Sequence, residues 1–427
     1  MTDSKSDNLG INKKSFIWNI IGSVLGAISS FVLLLCVTRT VGATEGGIFS
    51  LAFATAQILL TLGKFGVRSY QATDINDEIE LGTYLVTRIW FCILMLFIGV
   101  LYVLIAGYDM RKSLIFIFVC IIKMVDAIED VFHGQLQKIG HLDVAGKLLA
   151  LRNMITILCF AIALYGTRNL LFGCIITAGI SVVIGLFGNI AVTKQYMSVQ
   201  LTVNHQHEKK LILACLPLFI GSFLSIYIYN VPKYALDFMG TESEIAVYSI
   251  IFMPAFVINL FSEFVFKPLL TMIASYWNNH QMEKFISVVV KLMINIMVIT
   301  IIVMLGAYLI GAQLLSVFYA VDVVTYRREL VILMLSGGFS AAVYLLYNVL
   351  TSMRAQKIII ANYAIVAVLI TIIAAVGVYN WKITGGAVAY LISEIILFGL
   401  MLIGTLVGYW KECSRNEDRN CNISGNE

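Results

Sequence analysis

Long apolar runs alternate with short polar breaks along the chain. The runs fall at about 16–38, 47–66, 84–107, 113–133, 148–166, 169–192, 211–236, 245–268, 286–311, 329–352, 362–378 and 384–409. Each approaches the roughly 20 residues that an α-helix needs to cross a ~30 Å hydrocarbon core. They are continuous rather than alternating with a period of two, which predicts helices and not barrel strands. The pattern therefore predicts an all-α polytopic membrane protein of about 12 transmembrane helices. The first run follows Lys13 and Lys14, exceeds a signal-peptide apolar core and lacks a cleavage site, so it reads as a retained span.

The breaks are short. The longest polar stretches are 71–82, 193–210 and 411–427, and none has room for a soluble catalytic domain. Composition agrees: of 427 residues, 60% are hydrophobic and 13% charged, against about 25% charged in soluble domains. A water-soluble enzyme, a secreted disulfide scaffold and a disordered chain are excluded. The net charge of +4 gives no reason to expect a nucleic-acid partner. Eight cysteines include no CxxC pair and no Cys/His cluster, so no metal, cofactor or disulfide is expected. With both termini cytoplasmic, the outer ends collect only Arg39, Arg111, Lys112, Arg168, Lys233, Arg327, Arg328 and Lys382, which are 8 of the 29 Lys and Arg residues. The positive-inside rule favours that orientation. The sequon Asn422-Ile423-Ser424 then lies in a cytoplasmic tail, as a chance match.

A faint internal repeat divides the chain. Gly42-Ala43-Thr44-Glu45 with Phe49-Ser50 is echoed by Gly240-Thr241-Glu242-Ser243 with Tyr248-Ser249. A shift of 199 then pairs Phe53 with Phe252, Phe65 with Phe264 and Arg68 with Lys267, and Gln137-Lys138-Ile139 is echoed by Gln356-Lys357-Ile358. Six spans in each half give a parallel repeat, a transporter signature. The expectation is two pseudo-symmetric six-helix lobes, residues 1–200 and 201–410, with a cytoplasmic tail at 411–427.

Several stretches resemble one family. Ser15-Phe16-Ile17-Trp18-Asn19, Gly22-Ser23, Arg39-Thr40-Val41-Gly42 and Gly47-Ile48-Phe49-Ser50 look like the opening of bacterial polysaccharide flippases. These are the O-antigen and capsule (Wzx-type) exporters of the multidrug/oligosaccharidyl-lipid/polysaccharide superfamily. Phe65-Gly66-Val67-Arg68-Ser69-Tyr70-Gln71 with Asp74, and Gly385-Gly386-Ala387-Val388-Ala389, resemble the family's second-span loop and twelfth-span start. The resemblance implies a non-enzymatic secondary transporter in the bacterial cytoplasmic membrane. It would move an undecaprenyl-pyrophosphate-linked oligosaccharide from the inner to the outer leaflet, for O-antigen, capsule or exopolysaccharide synthesis. Implied partners are that lipid-linked substrate, membrane lipids, and polysaccharide polymerase and chain-length machinery. Two alternatives stand beside it: a cation-coupled multidrug exporter of the same superfamily, and an integral-membrane polysaccharide polymerase or acyltransferase. The first needs acids dominating its cavity, whereas the span-embedded charges lean basic; the second typically carries a large outer loop, which is missing.

No residue is expected to be catalytic. Candidates for the substrate path are Lys64, Arg68, Arg88, Lys147, Arg152, Lys233, Lys267, Lys291 and Arg354, because intramembrane ionisable residues are functional candidates by default. Arg68, Arg88, Lys147, Lys267 and Arg354 lie near predicted inner ends, where snorkelling to the interface is the alternative. Lys233 follows Pro232 and precedes Asp237 by one turn, so substrate contact and a local ion pair are both open. Asp126, Glu129 and Asp130 lie with Lys123 and His133 near one end of span four; Asp126 and Asp130 share a helix face, and Lys123 reaches Asp126 at i,i+3. That set is either an ion-coupling site, with Asp126 and Asp130 as its acids, or an interfacial charge network. Glu263 beside Lys267, and Glu394, are further coupling candidates. All four prolines fall in spans seven and eight: Pro217, Pro232 and Pro254 are interior, and Pro268 is placed to end its span. Pro217 and Pro232 are gating candidates that bend span seven, with static kinks as the alternative. Tyr227, Tyr229 and Tyr234 are candidates to stack on sugar.

Overall fold

The computed structural model of the protein describes residues 3–74, 78–198 and 201–424, with side chains described for 17–71, 74, 78–198, 201–255, 258 and 272–412. Every regular element among the described residues is helical. In chain order they are α1 (Asp3–Val41), α2 (Ala43–Lys64), α3 (Val67–Thr73), α4 (Leu81–Ala106), α5 (Met110–Lys138), α6 (Leu142–Thr167), α7 (Leu170–Val182), α8 (Asn189–Thr193), α9 (His205–Met239), α10 (Glu242–Asn278), α11 (Met282–Gly306), α12 (Ala312–Tyr319), α13 (Arg327–Ser352) and α14 (Gln356–Ser424). Single π-helical turns at Val183–Gly188 and Ala307–Gly311 join α7 to α8 and α11 to α12 without a break.

Nine helical stretches among the described residues are long and apolar enough to cross a membrane. α5 and α10 also have span length. α14 is two arms, because Trp381 and Lys382 leave helical geometry and the chain folds back so that Gly385 rests on the Gly377 carbonyl. The result is the twelve-helix membrane fold expected from the apolar runs.

Compact packing divides the chain into Met1–Ile226 and Tyr227–Glu427, a division that falls inside α9. In the first unit, α1 and α6 approach closely through small residues: a Cβ added at Gly146 would meet the Trp18 backbone, and one at Gly22 the Gly146 carbonyl. Small residues permit such approach where lipid gives helices no hydrophobic drive to associate. Each of the two echoed segments opens a helix. Gly42 precedes α2 and Thr241 caps α10, the second long helix of each half. Thr241 and Glu244 complete a reciprocal capping box there.

The proline expectations need one correction. α10 continues through Pro268 to Asn278, so that residue does not end its helix. α9 likewise runs unbroken through Pro217 and Pro232, and Pro232 is buried against Gly386.

Candidate functional site

The site begins with the way α2 ends. Phe65 (φ 45) and Gly66 (φ 69) are both left-handed, which stops α2 and starts α3 in a new direction. Glycine suits that backbone region; phenylalanine does not, and needs support. Support comes from stacking, with the Phe65 ring between Phe91 at 4.0 Å and Phe219 at 4.6 Å. Gly66 is also needed for space, since a Cβ there would lie 2.9 Å from Leu218 Cβ. This reversal brings Lys64 and Arg68, one on either side of it, to the same carboxylate. Lys64 Nζ lies 3.7 Å and Arg68 Nη1 3.2 Å from Asp130 Oδ1.

The other oxygen of Asp130 belongs to α4. Arg88 donates from Nη2 to Asp130 Oδ2 at 3.3 Å and from Nη1 to the Gly63 carbonyl at 3.0 Å. That carbonyl is among those left without a helical partner at the end of α2. Arg88 is wholly buried and serves as both helix cap and counter-ion. Snorkelling is thereby corrected for this residue: α4 begins at Leu81, so Arg88 lies in its second turn, enclosed by α2 and α5.

A second layer sits one turn along α5. Arg152 of α6 approaches Asp126 Oδ1 at 2.5 Å through Nη1 and Glu129 Oε2 at 2.8 Å through Nε. Lys123 Nζ is 2.9 Å from the other Asp126 oxygen and lies over the Phe53 ring. Asn189 donates to Glu129 Oε1 at 3.0 Å and to the Gly185 carbonyl at 2.7 Å. The π-helical turn shifts the helical register by one residue just before Asn189. Five cations (Lys64, Arg68, Arg88, Lys123 and Arg152) thus meet three carboxylates (Asp126, Glu129 and Asp130), a surplus of two positive charges. Lys64 and Arg68 retain 40% and 33% side-chain exposure, whereas Arg88 and Arg152 retain 0% and 6%.

Just outside this cluster, Asp74 staples the α3–α4 connection. It accepts from the backbone of Glu78 and Ile79 at 3.0 and 3.2 Å, from the Tyr84 hydroxyl at 3.0 Å, and from Lys138 at 3.4 Å. Burial acts to raise its pKa, but these donors outweigh it and hold the carboxyl below its ordinary value.

The remaining described sequence candidates have surroundings of their own. Lys147 pairs with Asp143 at 3.0 Å on an exposed face of α6. Lys291 and Arg354 are exposed, and Arg354 is left-handed (φ 57) after α13. Lys233 is buried, and its ammonium lies 5.7 Å from the Tyr229 ring centre and 5.9 Å from that of Phe252. Its side chain turns back one helical turn toward these aromatic faces. Tyr229 packs edge-on against Phe252 at 4.5 Å and Tyr390 at 6.3 Å, and Tyr227 bonds Thr371 at 2.9 Å. Glu394 is buried one turn beyond Tyr390. The side chains of Glu263 and Lys267 lie outside the described residues. Sequence reasoning missed Asn189 and Arg68's second partner, Gln137; an asparagine in the interior of the apolar run 169–192 was the available signal.

The model of the polysaccharide biosynthesis protein family matches residues 13–273. Curated protein sequences give no significant match. The chain is similar in fold to an inward-facing multidrug resistance MATE family transporter of the MOP superfamily, with TM-score 0.68, 14% identity, and coverage of 93% of this chain and 99% of that one. It is also similar to the MATE transporter VcmN of Vibrio cholerae in its bent form, with TM-score 0.62, 14% identity, and coverage of 95% and 99%. A third likeness is to a MOP superfamily transporter from Pyrococcus furiosus, described as having a binding pocket of reverse polarity that suggests a different function (TM-score 0.56, 16% identity, coverage 95% and 96%). These identities speak for the fold alone, a MATE-like arrangement of two six-helix lobes. The family model spans more than half of the sequence, and the chain belongs to the polysaccharide biosynthesis protein family.

Proposed function

We propose that this protein moves an undecaprenyl-pyrophosphate-linked oligosaccharide from the inner to the outer leaflet of the bacterial cytoplasmic membrane, supplying O-antigen, capsule or exopolysaccharide synthesis. The observation that carries this reading is the surplus of two cations in the α2–α6 cluster, matched by its two part-exposed members, Lys64 and Arg68. A sugar head and a diphosphate cannot enter hydrocarbon unaided, because unpaired polar groups cost several kcal/mol each. A cationic, solvent-reached surface lowers that barrier while the prenyl tail stays in lipid. Outward movement of about two negative charges at ~100 mV releases roughly 4–5 kcal/mol, so transport needs a path and a gate rather than hydrolysis. Residues 1–200 and 201–410 serve as the two lobes, with both termini cytoplasmic. α9, with Pro217 and Pro232, is the element that bends, and Lys233 and Glu394 belong to the path through the second lobe. Downstream partners are a polymerase and its chain-length machinery.

The solved relatives named as multidrug transporters share the fold, but a site with surplus positive charge repels cationic drugs. The test is deletion of the gene followed by mass spectrometry of extracted lipids. Accumulation of a prenyl-diphosphate-linked repeat unit, cleared on re-expression, is the expected result. Unchanged lipid intermediates together with raised drug sensitivity would assign the chain to drug export instead.

A further inference from the structure

Three cations converge on Asp130, and they are held in different ways. Arg88 is fully buried and fixed at both ends, by Asp130 Oδ2 and by the Gly63 carbonyl. Lys64 and Arg68 share the opposite oxygen, Oδ1, and both side chains are part-exposed. The other arm of Arg68 rests on Gln137, an exposed residue, at 3.2 Å. The neighbouring acids are already engaged, Asp126 by Arg152 and Lys123, and Glu129 by Arg152 and Asn189. The cluster therefore contains a buried, fixed part and an exposed part that can change partners.

We infer that Asp130 is a place-holder for the substrate's anion: an arriving diphosphate takes Lys64 and Arg68 from Asp130 Oδ1, while Arg88 stays on Oδ2. This rests on the function proposed above. A diphosphate brings about two negative charges and several acceptor oxygens to cations that otherwise share one carboxylate oxygen, and guanidinium binds phosphate through paired N–H donors. Further desolvation of Lys64 and Arg68 is modest because both are already part-buried. The exchange has a mechanical consequence. Arg68 ties α3 to α5 through Asp130 and Gln137, and Gln71 ties them again through Gln135 at 3.1 Å. Anion capture thus releases the Arg68–Asp130 tie between α3 and α5. Neutral prenyl lipids cannot trigger it.

The test uses the full-length protein in detergent, titrated with farnesyl diphosphate at fixed salt, with farnesol as the uncharged control. The wild type binds the diphosphate and not the alcohol. Gln137→Ala, a change at an exposed position that leaves the buried cluster intact, tightens binding about threefold by freeing one Arg68 arm, as expected for a single charged hydrogen bond. Asp130→Asn removes the competing charge and tightens it further, by about tenfold. The double variant Lys64→Ala/Arg68→Ala loses at least about tenfold. Wild-type binding with unchanged or weaker affinity in folded Gln137→Ala would overturn the place-holder role while leaving the proposed substrate standing. Failure of the wild type to prefer the diphosphate over farnesol would remove the proposed substrate and the inference together.

Discussion

Replacing Arg88 with Met separates the structural part of the charge cluster from its exposed part. Met keeps much of the stem volume and removes the guanidinium. Two losses follow. The Gly63 carbonyl loses its 3.0 Å donor in a site that water does not reach, and an unsatisfied buried acceptor costs about 1–3 kcal/mol. Asp130 Oδ2 loses its 3.3 Å partner, and breaking a buried ion pair from one side costs about 3–5 kcal/mol in all. Lys64→Met is the matched control. It removes a 3.7 Å contact made by a side chain with 40% exposure, worth about 0–1 kcal/mol. The free thiols supply the assay. Cys36, Cys92, Cys120, Cys174 and Cys215 are buried, so a thiol-reactive dye reports unfolding in detergent. At roughly 2–4 °C per kcal/mol, Arg88→Met lowers the midpoint by about 10 °C and Lys64→Met by no more than about 3 °C. Arg88→Lys, a single ammonium that cannot bridge both acceptors, falls between them. Equal midpoints for Arg88→Met and Lys64→Met, or a larger loss in Lys64→Met, would refute the assignment of Arg88 as cap and counter-ion.

Three further outcomes are expected in the same dye assay. Gly66→Ala forces a side chain into φ 69 and against Leu218, and lowers stability by about 1–3 kcal/mol; an unchanged midpoint would mean that the reversal tolerates ordinary residues. Asn189→Ala strips the amide from Glu129 and from the Gly185 carbonyl and costs about 1–3 kcal/mol; wild-type stability would show the π-helical turn to be incidental. Asp74, with its lowered pKa, contributes stability above its unfolded pKa of about 3.9 and loses it as pH falls through the folded value. Wild-type stability should therefore fall more steeply than that of Asp74→Asn below about pH 4, and parallel curves would contradict the staple.

The sequence made one face of the site legible and hid the rest. Spacing along α5 predicts that Lys123 meets Asp126 and that Asp126 and Asp130 share a face, because those contacts lie within one helix and obey its period. The partners of those acids come from α2, α3, α4, α6 and α8, and no periodicity encodes a contact between helices. Path and coupling candidates accordingly looked like separate sets, yet Lys64, Arg68 and Arg88 bind Asp130, and Arg152 binds Asp126. Arg88 was misplaced for a local reason: its span was read from 84, and the true start at Leu81 moves the residue a full turn inward. The twelve-helix architecture was legible throughout because apolar length is a property of each segment alone.

The surplus charge itself separates folding from transport. Without Lys64 and Arg68, the cluster has three cations (Arg88, Lys123 and Arg152) against three carboxylates (Asp126, Glu129 and Asp130), so the buried part is electroneutral. Charges in a span demand pairing, and this core satisfies the demand internally. Nothing in the folding of α2, α4, α5 and α6 then requires two more cations at the exposed edge. Their presence makes sense for a ligand that supplies about two negative charges. It follows that Lys64→Met/Arg68→Met should insert normally and unfold within about 3 °C of the wild type, because both lost cations are part-exposed and Arg88 keeps Asp130 paired. The same variant should fail to clear the lipid-linked intermediate from a deletion strain. Full complementation at normal abundance would show that the surplus serves orientation in the membrane, and a collapse of stability would show that the electroneutral core does not stand by itself.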